Sequence, residues 1–134
     1  MLKFAQLFAD YLKEKDFNFE TYTFEDGDCL VEFPYKGKAT KLIFSGEDGK
    51  YLSLYLNFEN VPEDKYVDVL IACNELNKQY KWATFYLDDD RDLIIHDDAI
   101  LSEDSAADEA FELLVRMIRI GDDVKPVIMK AIYA

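Results

Sequence analysis

The order of apolar and polar positions changes period several times along the chain, and each change marks an element. Leu2, Ala5, Phe8, Ala9 and Leu12 recur at helical spacing and Lys13, Glu14 and Lys15 close the segment, so residues 2–15 read as an amphipathic helix. From Phe17 to Phe58 the pattern becomes short runs of Phe, Tyr, Val, Ile, Leu and Thr, divided by Glu25-Asp26-Gly27-Asp28, Tyr35-Lys36-Gly37-Lys38 and Glu47-Asp48-Gly49-Lys50. Each divider is a turn signal, because Gly takes the positive φ a tight turn needs. A meander of four antiparallel strands follows. The repeated Glu-Asp-Gly reflects shared turn chemistry, since the flanking strands do not match.

Pro62 with Glu63 and Asp64 opens a second helix, with Tyr66, Val69, Leu70, Cys73 and Leu76 expected on its buried side. Trp82 to Leu87 and Leu93 to Ile95 predict a further hairpin. Ser102 or Ser105 can cap a last helix with the stripe Ala110, Phe111, Leu114, Met117 and Ile118. Gly121 and Pro126 predict a kink or break there, after which Val127, Ile128, Ala131 and Ile132 carry the stripe onward. The expectation is a single α+β domain over residues 1–134: an antiparallel sheet with N-terminal, middle and C-terminal helices, without linker or repeat.

Composition narrows the possible partners. Of 134 residues 50% are apolar, including ten Phe, nine Tyr and one Trp, enough to fill one core and too many for a disordered chain. Twenty-eight acidic residues against fifteen basic ones leave a net charge of −13, which repels nucleic-acid phosphates and anionic lipid. That charge first of all provides solubility, and it leaves room for a basic peptide ligand. No apolar run reaches the ~20 residues needed to cross a bilayer, and Met1-Leu2-Lys3-Phe4 brings charge in too early for a signal peptide. A cytoplasmic setting is expected, with no membrane partner. There Cys29 and Cys73, both in apolar contexts, would stay reduced and packed.

No catalytic constellation is legible. His96 is the only histidine, and with no second His, nucleophile or Glu-x-x-His spacing beside it, it reads as structural and is given no role. Asp88-Asp89-Asp90-Arg91-Asp92 superficially resembles a calcium loop, but Leu93 stands where the loop needs Gly and Ala99 where it needs Glu, so it reads as an acidic hairpin turn. A Gly-x-Ser-x-Gly elbow and a glycine-rich phosphate cradle are both missing. The expectation is a protein that is not an enzyme, with no catalytic residue, metal or cofactor.

Strand alternation supplies the candidate site. In Tyr51–Phe58, Leu52, Leu54, Leu56 and Phe58 point one way, and Tyr51, Ser53, Tyr55 and Asn57 the other. In the later strand Trp82, Thr84 and Tyr86 alternate against Ala83, Phe85 and Leu87. Tyr51, Ser53, Tyr55, Trp82, Thr84 and Tyr86 therefore make a candidate partner-binding or dimer face. Either it stays open as an interface, or a helix of the same chain covers it.

The order of elements, with Asn74-Glu75-Leu76-Asn77 and then Phe85-Tyr86-Leu87-Asp88, resembles the YbjN-like family, described as putative bacterial sensory transduction regulators. In that family the second helix likewise carries Asn-x-Leu-Asn before a strand ending in Leu-Asp. The resemblance implies a fold similar to type III secretion chaperones, which commonly dimerise and hold a partner chain across sheet and helices. It transfers no catalytic residue and no role for Asn74. Asn77 is expected to cap the end of its helix. The expected function is a regulator or chaperone-like adaptor that binds a protein or peptide and forms a homodimer. The alternative is a small-molecule sensor with an apolar pocket between sheet and helices.

Overall fold

The computed structural model describes residues 1–134 other than Lys36, with the backbone alone of Tyr35 and Lys38. In chain order the elements are α1 (Lys3–Glu14), β1 (Glu20–Thr23), β2 (Cys29–Tyr35), β3 (Lys38–Ser45), β4 (Tyr51–Asn60), α2 (Tyr66–Gln79), β5 (Thr84–Leu87), β6 (Asp92–Ile100) and α3 (Ala106–Tyr133), with 3-10 turns at Glu47–Gly49 and Glu63–Lys65. The strands form one six-stranded antiparallel sheet in the order β1-β2-β3-β4-β6-β5. The meander and the α+β class are as the hydrophobic pattern predicted. The expected turn between β2 and β3 centres on Lys36, which lies outside the described residues.

The second hairpin does more than extend the sheet. β6 runs well past the expected Leu93–Ile95 and pairs with β4 from Tyr51↔Ile100 to Asn60↔Asp92, while β5 forms the edge. Backbone bonds close both ends of this long pairing: Val61 N–H donates to Arg91 O, and Leu101 N–H to Lys50 O. At the β3–β4 turn Gly49 has φ +82°, and a Cβ there would press on Leu2 and Phe44. Glycine answers both demands.

All three helices lie on one side of the sheet. Leu52, Leu54, Leu56 and Phe58 of β4 are buried with Leu42 and Phe44 of β3, Phe85 of β5, and Leu93 and Ile95 of β6. Phe4, Phe8 and Leu12 of α1 meet this layer, with the Phe8 and Phe44 rings 5.8 Å apart. Burying each such side chain is worth ~1.5–3 kcal/mol, so the side of the sheet that bears them decides where the helices go.

α3 departs from expectation. It runs unbroken from Ala106 to Tyr133 through Gly121 and Pro126. Gly121 is buried, and a Cβ there would stand 3.2 Å from Leu56 Cδ2, so its role is close helix–sheet packing. Pro126 is exposed, where the carbonyl its missing N–H leaves free can meet water. Ser105 occupies the N-cap position without a side-chain cap bond. Instead the Ser102 N–H donates to Glu109 Oε1 at 2.7 Å.

α2 also differs, since only Val69, Cys73 and Leu76 are buried while Tyr66 and Leu70 turn outward. Asn77 does not cap the helix end, where Tyr80 N–H donates to Leu76 O. Its side-chain amide reaches β5, accepting from Phe85 N–H at 2.7 Å and donating to Phe85 O at 3.0 Å. Edge strands expose backbone groups that invite foreign strands, and here a side chain satisfies two of them. Asn77→Ala should cost about 1–2 kcal/mol in urea denaturation and speed exchange of the Phe85 amide proton. Unchanged exchange would show that the edge is guarded in another way.

Candidate binding face

The side chains of β4 that do not enter the core point to the side of the sheet that no helix packs against. Register sets their neighbours. Tyr55 lies opposite Lys41 of β3 and His96 of β6, and His96 lies opposite Thr84 of β5. Ser53 lies opposite Asp98, while Ile94 lies between Asn57 and Tyr86. Residues directly opposite share a face, so these side chains form one surface.

An aromatic cluster occupies its centre. The Tyr55 and His96 rings stack at 4.5 Å and 5°, and Tyr86 meets His96 edge-on at 6.4 Å and 85°. His96 Nε2 donates to Asp98 Oδ1 at 2.9 Å; a carboxylate can only accept, so the bond fixes a proton on Nε2. Only 23% of the His96 side chain is exposed. Burial raises the Tyr86 phenol above its ordinary pKa, and Tyr55, Asp88 and Asp98 add to the shift, keeping the hydroxyl a neutral donor. Beside the cluster lies a hollow of about 280 Å³ lined by Lys41, Tyr55, Asn57, Tyr86, Asp88 and Ile94, with Ala39. It presents hydroxyl, amide, ammonium and carboxylate groups around apolar walls.

Five of the six residues expected on one face are found together: Tyr51, Ser53, Tyr55, Thr84 and Tyr86. Trp82 is not among them. The strand begins only at Thr84, and Trp82, 54% exposed, lies beside α3 with the Arg116 guanidinium 5.6 Å from its ring. The alternative that a helix covers this face is not realised, since the helices occupy the other side. A lone histidine reads as structural in the sequence because its stacking partner, Tyr55, comes from a strand about forty residues earlier. Alternation through β6 would have placed His96 and Asp98 opposite the buried Leu93 and Ile95, had the strand been read to Ile100.

The acidic segment Asp88–Asp92 is the β5–β6 turn. Asp88 Oδ1 accepts from the backbone N–H of Asp90 at 3.0 Å and of Asp92 at 2.9 Å. Asp92 accepts from Asn57 and Asn60. Among the described residues there is no group of three or more His, Cys, Asp or Glu side chains placed to hold a metal ion. Cys29 and Cys73 are free and buried, and burial pushes the Cys73 thiol up to about 11.

The family model YbjN, putative bacterial sensory transduction regulator, matches residues 5–123. Neither a curated protein nor a solved structure gives a significant match.

Beneath the open face, Asp97 points toward the helices from the position opposite Leu54. Its Oδ1 accepts from Asp98 N–H at 2.8 Å, while its Oδ2 is buried without a partner. Burial raises its pKa above the ordinary carboxylate value; the Asp98 charge adds to this, while the Asp98 N–H and His96 oppose it. A carboxyl whose folded pKa is raised favours the folded state when protonated, and that favour is lost as pH rises through the folded value. Asp97→Asn should therefore gain stability relative to the natural chain as pH climbs from below 4 to 7. Urea denaturation at the two ends measures this, and a difference independent of pH would contradict it.

Proposed function

The chain belongs to the YbjN family, and on that premise we propose that it is a non-catalytic regulatory binding module that docks a protein or peptide partner on the helix-free face of its sheet. The observation behind this reading is the Tyr55, His96 and Tyr86 cluster at the centre of that face, with Ile43 and Ile94 on the same side. Aromatic side chains held rigid by their neighbours supply contact area at little entropic cost, and they recur as the residues that dominate binding energy. Asp88 and Asp98 give the surroundings a negative character that favours a basic segment, while Lys41 supplies one site for an acidic group.

Other features support the same reading. Asp98 bonds the His96 ring and Tyr55 and Tyr86 pack against it, which holds the imidazole in place as part of the face. The net charge of −13 disfavours nucleic acid, and no helix of the described residues is long and apolar enough to cross a membrane. Free buried thiols fit a reducing, cytoplasmic setting. A small-molecule pocket between sheet and helices has less support, because Phe8, Phe44, Phe85 and Met117 fill that space as fully buried side chains.

Affinity capture from the native cytoplasm tests the proposal. The natural chain should retain a partner, Tyr55→Ser with Tyr86→Ser should weaken capture by roughly ten-fold or more, and Trp82→Ser on the helical side should leave it intact. Equal capture by all three, with circular dichroism showing each folded, would remove the open face from the function.

A further inference from the structure

The two edges of the sheet differ in how they meet water. β5 is held at Phe85 by the Asn77 amide, whereas β1 at the other edge pairs with β2 alone and all four of its residues are exposed. Phe24 N–H donates to Asp28 O at 2.8 Å, which marks these two as a hydrogen-bonded pair, and in an antiparallel ladder such pairs alternate with open ones. Tyr22↔Leu30 and Glu20↔Glu32 are therefore the bonded pairs, and the N–H and C=O groups of Thr21 and Thr23 point away from the sheet. Among the described residues nothing receives them. β1 also lacks the Pro or Lys with which an edge strand commonly turns an added strand away, and its one charged residue is Glu20.

We infer that the β1 edge takes up an extended, basic segment of another protein as a further antiparallel strand. The backbone of that segment bonds to Thr21 and Thr23, and its side chains beside Glu20 and Tyr22 continue the helix-free face. Charge selects the occupant. Glu20 stands directly opposite Glu32, a like-charge arrangement that costs stability, and Glu25 and Asp26 of the adjoining turn extend the negative rim. Lys41 lies opposite Glu32 on the inner side, and among the described residues no cation pairs with Glu20. A Lys or Arg of the added strand beside Glu20 supplies that cation, and an apolar residue two positions away covers Tyr22, which is 59% exposed. A second copy of this chain is the wrong occupant, since it sets one acidic rim against another and brings the same net charge of −13.

An antiparallel addition continues the pairing of the rest of the sheet, and antiparallel ladders are slightly more stable per residue than parallel ones. Strand order puts β1 three strand spacings from β4, about 14 Å from the strand that carries Tyr55. The inference therefore does not rest on what the aromatic cluster binds.

Titration calorimetry and amide hydrogen exchange with a synthetic octapeptide, Thr-Lys-Thr-Val repeated once, provide the test. The peptide should bind the natural chain and slow exchange of the Thr21 and Thr23 amide protons while leaving that of Phe85 unchanged. N-methylation of its Thr residues, whose backbone faces β1 when Lys and Val lie beside Glu20 and Tyr22, should abolish binding, and N-methylation of its Lys and Val residues should not. Glu in place of Lys in the peptide should weaken binding by roughly ten-fold or more, as should Glu20→Lys in the chain. Thr21→Pro removes an outward donor without touching the ladder to β2 and should weaken binding about ten-fold; should it disturb folding, the methylated peptides on the natural chain decide. Tyr55→Ser with Tyr86→Ser should leave the peptide's affinity unchanged, and a loss there moves the peptide to the open face and overturns the edge as its site. Absence of binding by the Lys peptide also overturns the proposal, as does equal binding of the Glu peptide or protection that falls on Phe85 instead of Thr21 and Thr23.

Discussion

The alternation of side chains along β4 is the constraint from which the rest of the structure follows. Leu52, Leu54, Leu56 and Phe58 all leave the strand on one side, and only a helical layer on that side can take them out of water. Once α1, α2 and α3 are committed there, the residues between those positions are left facing outward. β6 then enters beside β4 rather than at the sheet edge, which brings His96 within stacking distance of Tyr55. The aromatic cluster is therefore a result of strand order: with β5 in the place of β6, Tyr55 would have had Thr84 or Tyr86 beside it and no imidazole to stack on.

Different parts of the surface manage exposure in different ways. The β5 edge, which would otherwise present bare backbone, is held at Phe85 by the Asn77 amide. The open face keeps its apolar content mixed with hydroxyl, amide and charged groups, so it stays soluble while retaining rigid aromatic anchors. The outer side of α2 has less such dilution at its start, where Val67, Leu70 and Ile71 are exposed. A strongly acidic chain tolerates both surfaces, because long-range repulsion resists indiscriminate association while leaving specific short-range pairing available.

Much of this was legible in the sequence, and the differences have physical causes. Period-two and period-3.6 patterns located the meander and the helices because those periods are properties of the elements themselves. Reading Gly121 and Pro126 as a break applied local propensity where tertiary packing decides: Gly121 is small to let α3 approach Leu56, and Pro126 faces water. The helical stripe puts Tyr66 and Leu70 in the core of α2, but an apolar residue on a surface helix need not be buried. Alternation carried back from Thr84 puts Trp82 on the face of Thr84 and Tyr86, but alternation holds only inside a strand, and β5 begins at Thr84. The part of the site missing from the sequence reading was His96 with Asp98, since its meaning lies in a cross-strand partner that only register reveals. Asn77 was recognised as notable, but its partner, Phe85, lies on a different element.

The central claim is that the sheet face bearing Tyr55, His96 and Tyr86 is bare in the isolated chain and covered when the protein is at work. Hydroxyl-radical footprinting, with oxidation at these residues compared between the purified chain and the same chain inside its native cells, addresses it most directly. The account predicts ready oxidation of Tyr55 and Tyr86 in the purified chain and clear protection in the cell, with Trp82 oxidised alike in both. Equal oxidation of the two tyrosines in both settings would contradict it.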